Sequence, residues 1–177
     1  MIEALEFIHL SVVDSTNSYL RNFCRELKPG TVVSADWQTA GRGRGEKRWC
    51  CPRGGGALFS ILLRRPEVAS PELISHTSLV VAEIIAGWLR RSYGVPACIK
   101  APNDVLVNGL KICGILVEEC SDKLIVGVGL NTNLDPCSLG KGFAATSLLK
   151  LVGGTYDNRV LVEELASKIC VGLGEYL

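Results

Sequence analysis

The 177-residue sequence predicts an α+β domain, a mixed and largely antiparallel sheet with helices packed on it. Three observations predict it. Apolar residues are 47% and charged residues 21%, the composition of a globular chain with one core. Short β-branched or alternating runs are joined by tight turns at Asn108-Gly109 and Ser121-Asp122-Lys123, which favours antiparallel neighbours. Two longer segments carry helical signals instead, with apolar residues such as Val80, Ile84, Ile85 and Leu89 roughly on one stripe.

In chain order, Glu6–Val13 alternates and reads as a strand. Asp14, Ser15 or Thr16 can cap a helix to about Leu27, and Lys28-Pro29-Gly30 turns the chain. Thr31–Trp37 and Ala57–Arg64 read as strands. Between them, Gln38–Gly56 has six glycines, five cations and no periodicity; loops of that length inside a compact domain are usually functional. Pro71, just after a Ser cap, opens a helix to about Tyr93. Cys98–Lys100 is a short strand, broken by Pro102. Val105–Val107 and Leu110–Glu119 form a hairpin about Asn108-Gly109, and Leu124–Leu130 returns as the next strand. Asn131–Gly142 reads as a loop, Thr146–Leu151 as a short helix, and Asn158 as the cap of a final helix. No repeat or interdomain linker divides the chain, so residues 1–177 are expected to form a single domain.

Several classes are disfavoured. The longest uncharged stretch resembling a span, Ser75–Ala82, is far short of the roughly 20 residues a membrane helix needs. The N-terminus carries Glu3 and Glu6 where a signal peptide would carry Lys or Arg, so a cytoplasmic protein without membrane contact is expected. The eight cysteines show no Cys-x-x-Cys pair and no zinc spacing, so no structural metal is expected. Cys24, Cys98, Cys113 and Cys170 read as small core residues, and Cys50 and Cys51 as inert thiols. No Ser-His-Asp set is legible, and His9 and His76 read as structural.

The net charge is only +1, but the segment from Gly41 to Arg53 alone carries +4, leaving −3 for the rest. That concentration points to an anionic ligand. In Gln38-Thr39-Ala40-Gly41-Arg42-Gly43-Arg44-Gly45, ending at Trp49, glycines let backbone approach a ligand and arginines supply forks for phosphate or carboxylate. A solvated basic loop or an Arg-Gly segment for RNA fits the same local pattern. Lys111, at the start of an apolar strand, either snorkels or faces an anion in a pocket. Asp104, beside Asn103, either shapes a turn or offers a carboxylate to magnesium. Ser15-Thr16-Asn17 caps a helix, and such a cap can also present N–H groups to a polar ligand.

Taken together, Ser15-Thr16-Asn17, the Gln38–Arg44 run to Trp49, Lys100-x-Pro102-Asn103-Asp104, Lys111-x-x-Gly114-Ile115-Leu116-Val117-Glu118, Gly129-x-Asn131 and Ala145-Thr146-Ser147-Leu148 resemble, in that order, the catalytic domain of biotin protein ligases. The resemblance covers nearly the whole chain. It implies the fold of the biotin/lipoate ligase catalytic domain and a two-step reaction. Biotin and Mg-ATP give biotinyl-5′-AMP, and a lysine of a biotin carboxyl carrier domain, such as that of acetyl-CoA carboxylase, then takes the biotinyl group.

The resemblance implies biotin contacts from Ser15, Thr16, Asn17, Gln38, Arg42, Gly43, Arg44, Lys111 and Gly114. It implies ATP contacts from Arg44, Lys47, Trp49, Lys100, Asn103 and Asn131. Lys111, Arg42, Arg44 and Asp104 would serve the chemistry, with Asp104 near magnesium. The basic loop would order over the ligand. The sequence departs from the family at Ala101, where a tryptophan is usual. No DNA-binding helix-turn-helix and no C-terminal β-barrel are legible, so DNA is not expected as a partner; a homodimer stays open. Lipoate or octanoyl-type acyl transfer, with a cysteine among Cys50, Cys51 and Cys113, and a non-catalytic binder of biotinyl-AMP or RNA are the competing readings.

Overall fold

A computed structural model describes residues 4–66, 72–139 and 144–174. Seven strands form one sheet in the order β1-β2-β3-β7-β6-β5-β4. They are β1 (Glu6–Leu10), β2 (Thr31–Ala35), β3 (Gly56–Arg64), β4 (Ala97–Lys100), β5 (Asp104–Val107), β6 (Leu110–Cys120) and β7 (Lys123–Asn131). Only β1 and β2 run parallel; every other neighbouring pair is antiparallel. The α+β expectation is met. The Asn108-Gly109 turn forms with both residues at positive φ (52° and 78°), the conformation that selects Asn-Gly in a two-residue hairpin.

The strands divide their side chains between two faces. Phe59 and Ile61 of β3, Val126 and Val128 of β7, and Ile115 and Val117 of β6 point into the main core. That face is covered by α2 (Leu73–Tyr93) and α4 (Asn158–Leu173). The opposite face carries a smaller cluster, in which Leu20 and Cys24 pack on Val33, Leu62 and Ile125. Among the described residues, α1 (Thr16–Asn22) and the segment just after it cover it. A short helix thus leaves part of a broad sheet open, and the site lies there.

Several boundaries shift. Ser15 is the α1 N-cap, accepting from the Ser18 N–H, but the helix stops at Asn22 and not near Leu27. Ser147 caps α3 (Leu148–Val152), which starts two residues after the expected Thr146, and Asp157, one residue before the expected Asn158, caps α4. The Asn158 amide instead donates to the Gly54 carbonyl at 2.9 Å. The expected start at Pro71 lies outside the described residues; Leu73 is the first residue of α2. Asn131, expected in a loop, is the buried last residue of β7.

Two features were not legible in the sequence. By length and mean hydropathy α2 does qualify as long and apolar enough to cross a membrane. Here it is the central core helix, with Val81, Ala82, Ile85, Ala86 and Leu89 fully buried. Cys24 is a core residue as expected, but it is also bonded to Cys120, 96 positions away. The bridge ties the segment after α1 to the end of β6. Sequence spacing carried no signal for it, because the sheet alone brings those positions together.

The Cys24–Cys120 bond closes a loop of nearly one hundred residues, for which the chain-entropy effect is large. Reduction, or paired serine substitution at both positions, is expected to lower unfolding free energy by about 2–4 kcal/mol. Denaturation curves with and without reductant measure this, and superimposable curves would exclude the bond.

Candidate functional site

The open part of the sheet is unusually bare. Gly127 and Gly129 of β7 and Gly114 of β6 are neighbours in the register, on the face away from α2 and α4. A Cβ at Gly129 would lie 2.5 Å from the Trp49 indole, and one at Gly114 would lie 2.9 Å from it. A Cβ at Gly127 would collide with the Asn17 amide. Glycine is required here for close approach: Trp49 and Asn17 rest directly on backbone.

A cavity of about 390 Å³ opens over these glycines. Its walls come from the start of α1, the basic loop after β2, and strands β5, β6 and β7. At one end are uncharged polar groups. Gln38 Oε1 accepts from the Thr16 backbone N–H at 2.8 Å and lies 3.2 Å from Thr16 Oγ1. Ser60 Oγ lies 2.6 Å from Asn17 Oδ1 and 2.7 Å from Thr16 Oγ1. Asn17 Oδ1 can only accept, so the Ser60 proton goes there, and the single Thr16 proton has two acceptors within reach. This end therefore has a spare acceptor, suited to an N–H donor on a ligand.

The other end is cationic. Lys111 Nζ pairs with Asp104 Oδ1 at 2.7 Å and lies 5.4 Å from the centre of the Trp49 ring. Arg44 donates to Asn103 Oδ1 at 3.5 Å, and Asn103 is fixed by two bonds of 2.9 Å with the backbone of Ile115. Arg42 pairs with Glu118. Arg42 Nε and Trp49 Nε1 are buried with no hydrogen-bond partner. Each of these two donors suits an acceptor on a ligand in the cavity.

A β-bulge aims Lys111. The β5–β6 register slips between Val105 and Leu106, so that Leu106 faces Lys111 while Val105 faces Cys113. The extra residue, Ile112, turns into the core and is fully buried. Strict alternation from Gly114 would put Ile112 on the open face and Lys111 in the core; the bulge reverses this. Backbone bonds of 2.9 Å from Lys111 N to Ala144 O and from Thr146 N to Lys111 O hold the turn of chain in place.

Most of the expected site residues line this cavity together: Ser15, Thr16, Asn17, Gln38, Arg42, Gly43, Arg44, Lys47, Trp49, Asn103, Asp104, Lys111 and Gly114. Two do not. Lys100 is exposed at the end of β4. Asn131 is buried and donates to the Thr146 carbonyl at 3.0 Å and the Lys111 carbonyl at 3.4 Å, so it supports Lys111 from behind. Ala101 is exposed and is not part of the wall.

Sequence reasoning missed Ser60 and Gly127. Ser60 is a polar residue among apolar ones in β3, and Gly127-x-Gly129 is a period-two glycine pair in an otherwise apolar strand. Those were the available signals. Sequence reasoning also missed a Ser-His-Asp cluster: His9 Nδ1 lies 3.0 Å from Ser34 Oγ, and its Nε2 lies 3.1 Å from Asp36. His9 and Ser34 are register partners on β1 and β2, with Asp36 two residues on. The cluster ties the two strands together away from the glycine-floored cavity.

The cysteines offer no nucleophile in this cavity. Burial, with a smaller effect from Cys50, pushes the Cys51 thiol up to about 12 from an ordinary value of 9.0. Burial likewise raises Cys113, only partly offset by Lys111. Among the described residues no group of three or more His, Cys, Asp or Glu side chains gathers to hold a metal. The Asp104 carboxylate is already engaged by Lys111, so it fits a magnesium ion only as one ligand among phosphate oxygens.

Comparison with known proteins decides the family. Residues 10–135 match the model of the biotin/lipoate A/B protein ligase family. The chain belongs to that family. Its fold and sequence are those of the biotin protein ligase catalytic domain. It is 32% identical over 166 residues to the bifunctional ligase/repressor BirA of Bacillus subtilis, covering 89% of this chain and 50% of that protein. It is 35% identical over 150 residues to the biotin–[acetyl-CoA-carboxylase] ligase of Mycobacterium tuberculosis, covering 79% of this chain and 54% of that one. The chain thus spans about half the length of these relatives. The biotin protein ligase of Aquifex aeolicus, solved with biotin and ATP, superposes with a TM-score of 0.83 at 31% identity, over 97% of this chain and 71% of that one.

Three outcomes follow from the packing of this ligase-family site. Gly129→Ala should displace the Trp49 indole, costing about 1–3 kcal/mol. Melting and acrylamide quenching of tryptophan fluorescence measure this; an unchanged protein would mean that Trp49 does not sit on β7. Cys98 is exposed and not in the core, and Cys50 is exposed as well, so both should react with an alkylating agent at pH 8 together with Cys137, while Cys51 and Cys113 resist, as peptide mass spectrometry reads. Because folding raises the Cys51 value, its contribution to stability is complete below about pH 9 and is lost as pH rises toward 12. Denaturation midpoints across that range should fall.

Proposed function

We propose that this chain activates biotin with ATP to biotinyl-5′-AMP and passes the biotinyl group to a lysine of a biotin carboxyl carrier domain. One observation carries the reading. A single glycine-floored cavity joins a neutral polar end, built by Thr16, Asn17 and Gln38, to a cationic end built by Arg44, Lys47 and Lys111. Biotin has that polarity: an uncharged ureido ring at one end and a carboxylate at the other. ATP adds phosphates beside the carboxylate.

Burying a ureido group requires partners for its carbonyl and both N–H groups, since an unpaired buried polar group costs about 1–3 kcal/mol. The spare acceptor on the Thr16–Ser60–Asn17 chain suits an N–H, and the Ser15 hydroxyl stands at the same helix start. Biotin selection therefore belongs to α1 and Gln38, together with the backbone of Gly43 and Gly114. At the far end a carboxylate oxygen attacks the α-phosphorus. The new C–O–P linkage forms as the bond to the β-phosphate oxygen breaks, and pyrophosphate leaves.

Two anions must meet for that step, and Lys111, Arg42 and Arg44 supply opposing charge. Asp104 holds the Lys111 ammonium, and it can accept magnesium arriving with the triphosphate. Trp49, Asn103 and Lys47 would border the nucleotide. In the second step the amine of the carrier lysine attacks the acyl carbon, and AMP leaves with the mixed-anhydride oxygen. The enzyme forms no covalent bond to the acyl group, consistent with the buried state of Cys51 and Cys113. That burial, with the exposed Cys50 standing outside the cavity lining, disfavours the lipoyl or octanoyl transfer reading with a cysteine nucleophile.

Incubation with biotin, Mg-ATP and an acetyl-CoA carboxylase carrier domain should add one biotinyl mass to the carrier, as intact-mass spectrometry detects. Biotin-dependent exchange of pyrophosphate into ATP should accompany it. Lys111→Ala should slow exchange at least tenfold, about 1.4 kcal/mol of barrier. Undiminished exchange in that variant would remove Lys111 from the chemistry, and no carrier labelling by the parent would overturn the function.

A further inference from the structure

Glu118 lies at the edge of the cationic site without an evident reason to be there. A carboxylate beside an anion-binding loop weakens attraction for the anion, so its presence calls for another role. Its position on β6 faces α1, and its two oxygens take three donors. Oε1 accepts from Arg21 at 2.8 Å. Oε2 accepts from Asn17 Nδ2 at 2.8 Å and from Arg42. The Glu118 side chain is only 17% exposed, whereas Arg21 and Arg42 are 43% and 37% exposed, so the carboxylate is the fixed partner and the arginines are the ones solvent reaches.

Arg42 lines the main cavity and also a second one, of about 390 Å³, between the loop and β6; Glu118 lines the second. The ion pair is thus part of the partition between the two. The loop is attached to the same few residues at two points: Gln38 bonds Thr16 at its start, and Arg42 bonds Glu118 four residues later. Asn17 joins both points, through Ser60 to Thr16 on one side and through its own amide to Glu118 on the other.

We propose that Glu118 is a positioning residue that pins Arg42, and with it the 41–49 loop, to helix α1. Setting of the polar end of the cavity and closure of the loop over the cationic end are then linked through one carboxylate. The link to ligand retention rests on the function proposed above; the pinning of the loop does not.

The test uses the full chain with Glu118→Gln, Glu118→Asp, Arg42→Ala and the double variant of Glu118→Gln with Arg42→Ala. Gln keeps an acceptor for Asn17 but loses the charge that holds the arginines, so a loss of charge is separated from a loss of shape. In the ligand-free protein, amide exchange over residues 41–49 should rise at least tenfold in Glu118→Gln, with β3 and β7 unchanged. Glu118→Asp should restore part of the protection. The double variant should exchange no faster than Arg42→Ala, because both changes remove one contact. Unchanged exchange in Glu118→Gln, or effects that multiply in the double variant, would overturn the pin.

With biotin and Mg-ATP, release of biotinyl-AMP from Glu118→Gln should be at least fivefold faster than from the parent. Equal release rates would overturn the link to ligand retention. If the parent forms no adenylate, the proposed function fails and that link fails with it, while the exchange data still decide whether Glu118 pins the loop.

Discussion

The site depends on a stretch of sheet that has no side chains. Gly114, Gly127 and Gly129 clear adjacent positions on β6 and β7, and what rests there rests on backbone. Any residue with a Cβ at Gly129 would push Trp49 out, and one at Gly127 would push Asn17 out. The polar end, the indole wall and the approach to Lys111 all take their places from that floor. The rest of the architecture serves to keep it open. Two long helices cover the opposite face and bury the core, while the short α1 covers only one side of the site face.

The charges in the site are oriented by contacts within the protein. Lys111 is aimed by a bulge and paired with Asp104, Arg44 leans on Asn103, and Arg42 is paired with Glu118. Lys111 and Arg42 each have a carboxylate that partly neutralises them, and Arg44 has a neutral amide that orients it. This arrangement lowers the repulsion within a loop that carries five positive charges. It also limits the reorganisation needed when an anion binds, which is how preorganised sites gain their effect. Two donors, Arg42 Nε and Trp49 Nε1, stay unsatisfied and mark where a ligand would complete the network.

The sequence by itself determined the fold class, most of the strand and helix order, the Asn108-Gly109 hairpin and the unusual character of the basic loop. Those are local properties: periodicity, turn chemistry and charge density are carried by neighbours in the chain. The ordered blocks from Ser15 to Leu148 also identified the family. Tertiary structure alone decided the rest, because it depends on partners far apart in sequence. Lys111 faces the cavity only because one residue of β6 is extra relative to β5. Asn131 supports that lysine from behind, whereas motif position alone put it among the ligands. Ser60 enters the site through its neighbours Thr16 and Asn17, more than forty positions earlier. Cys24 meets Cys120, and His9 meets Ser34 and Asp36, for the same reason. A one-dimensional pattern states which face a residue should take, but a bulge, a strand register or a paired charge is fixed only when the sheet assembles.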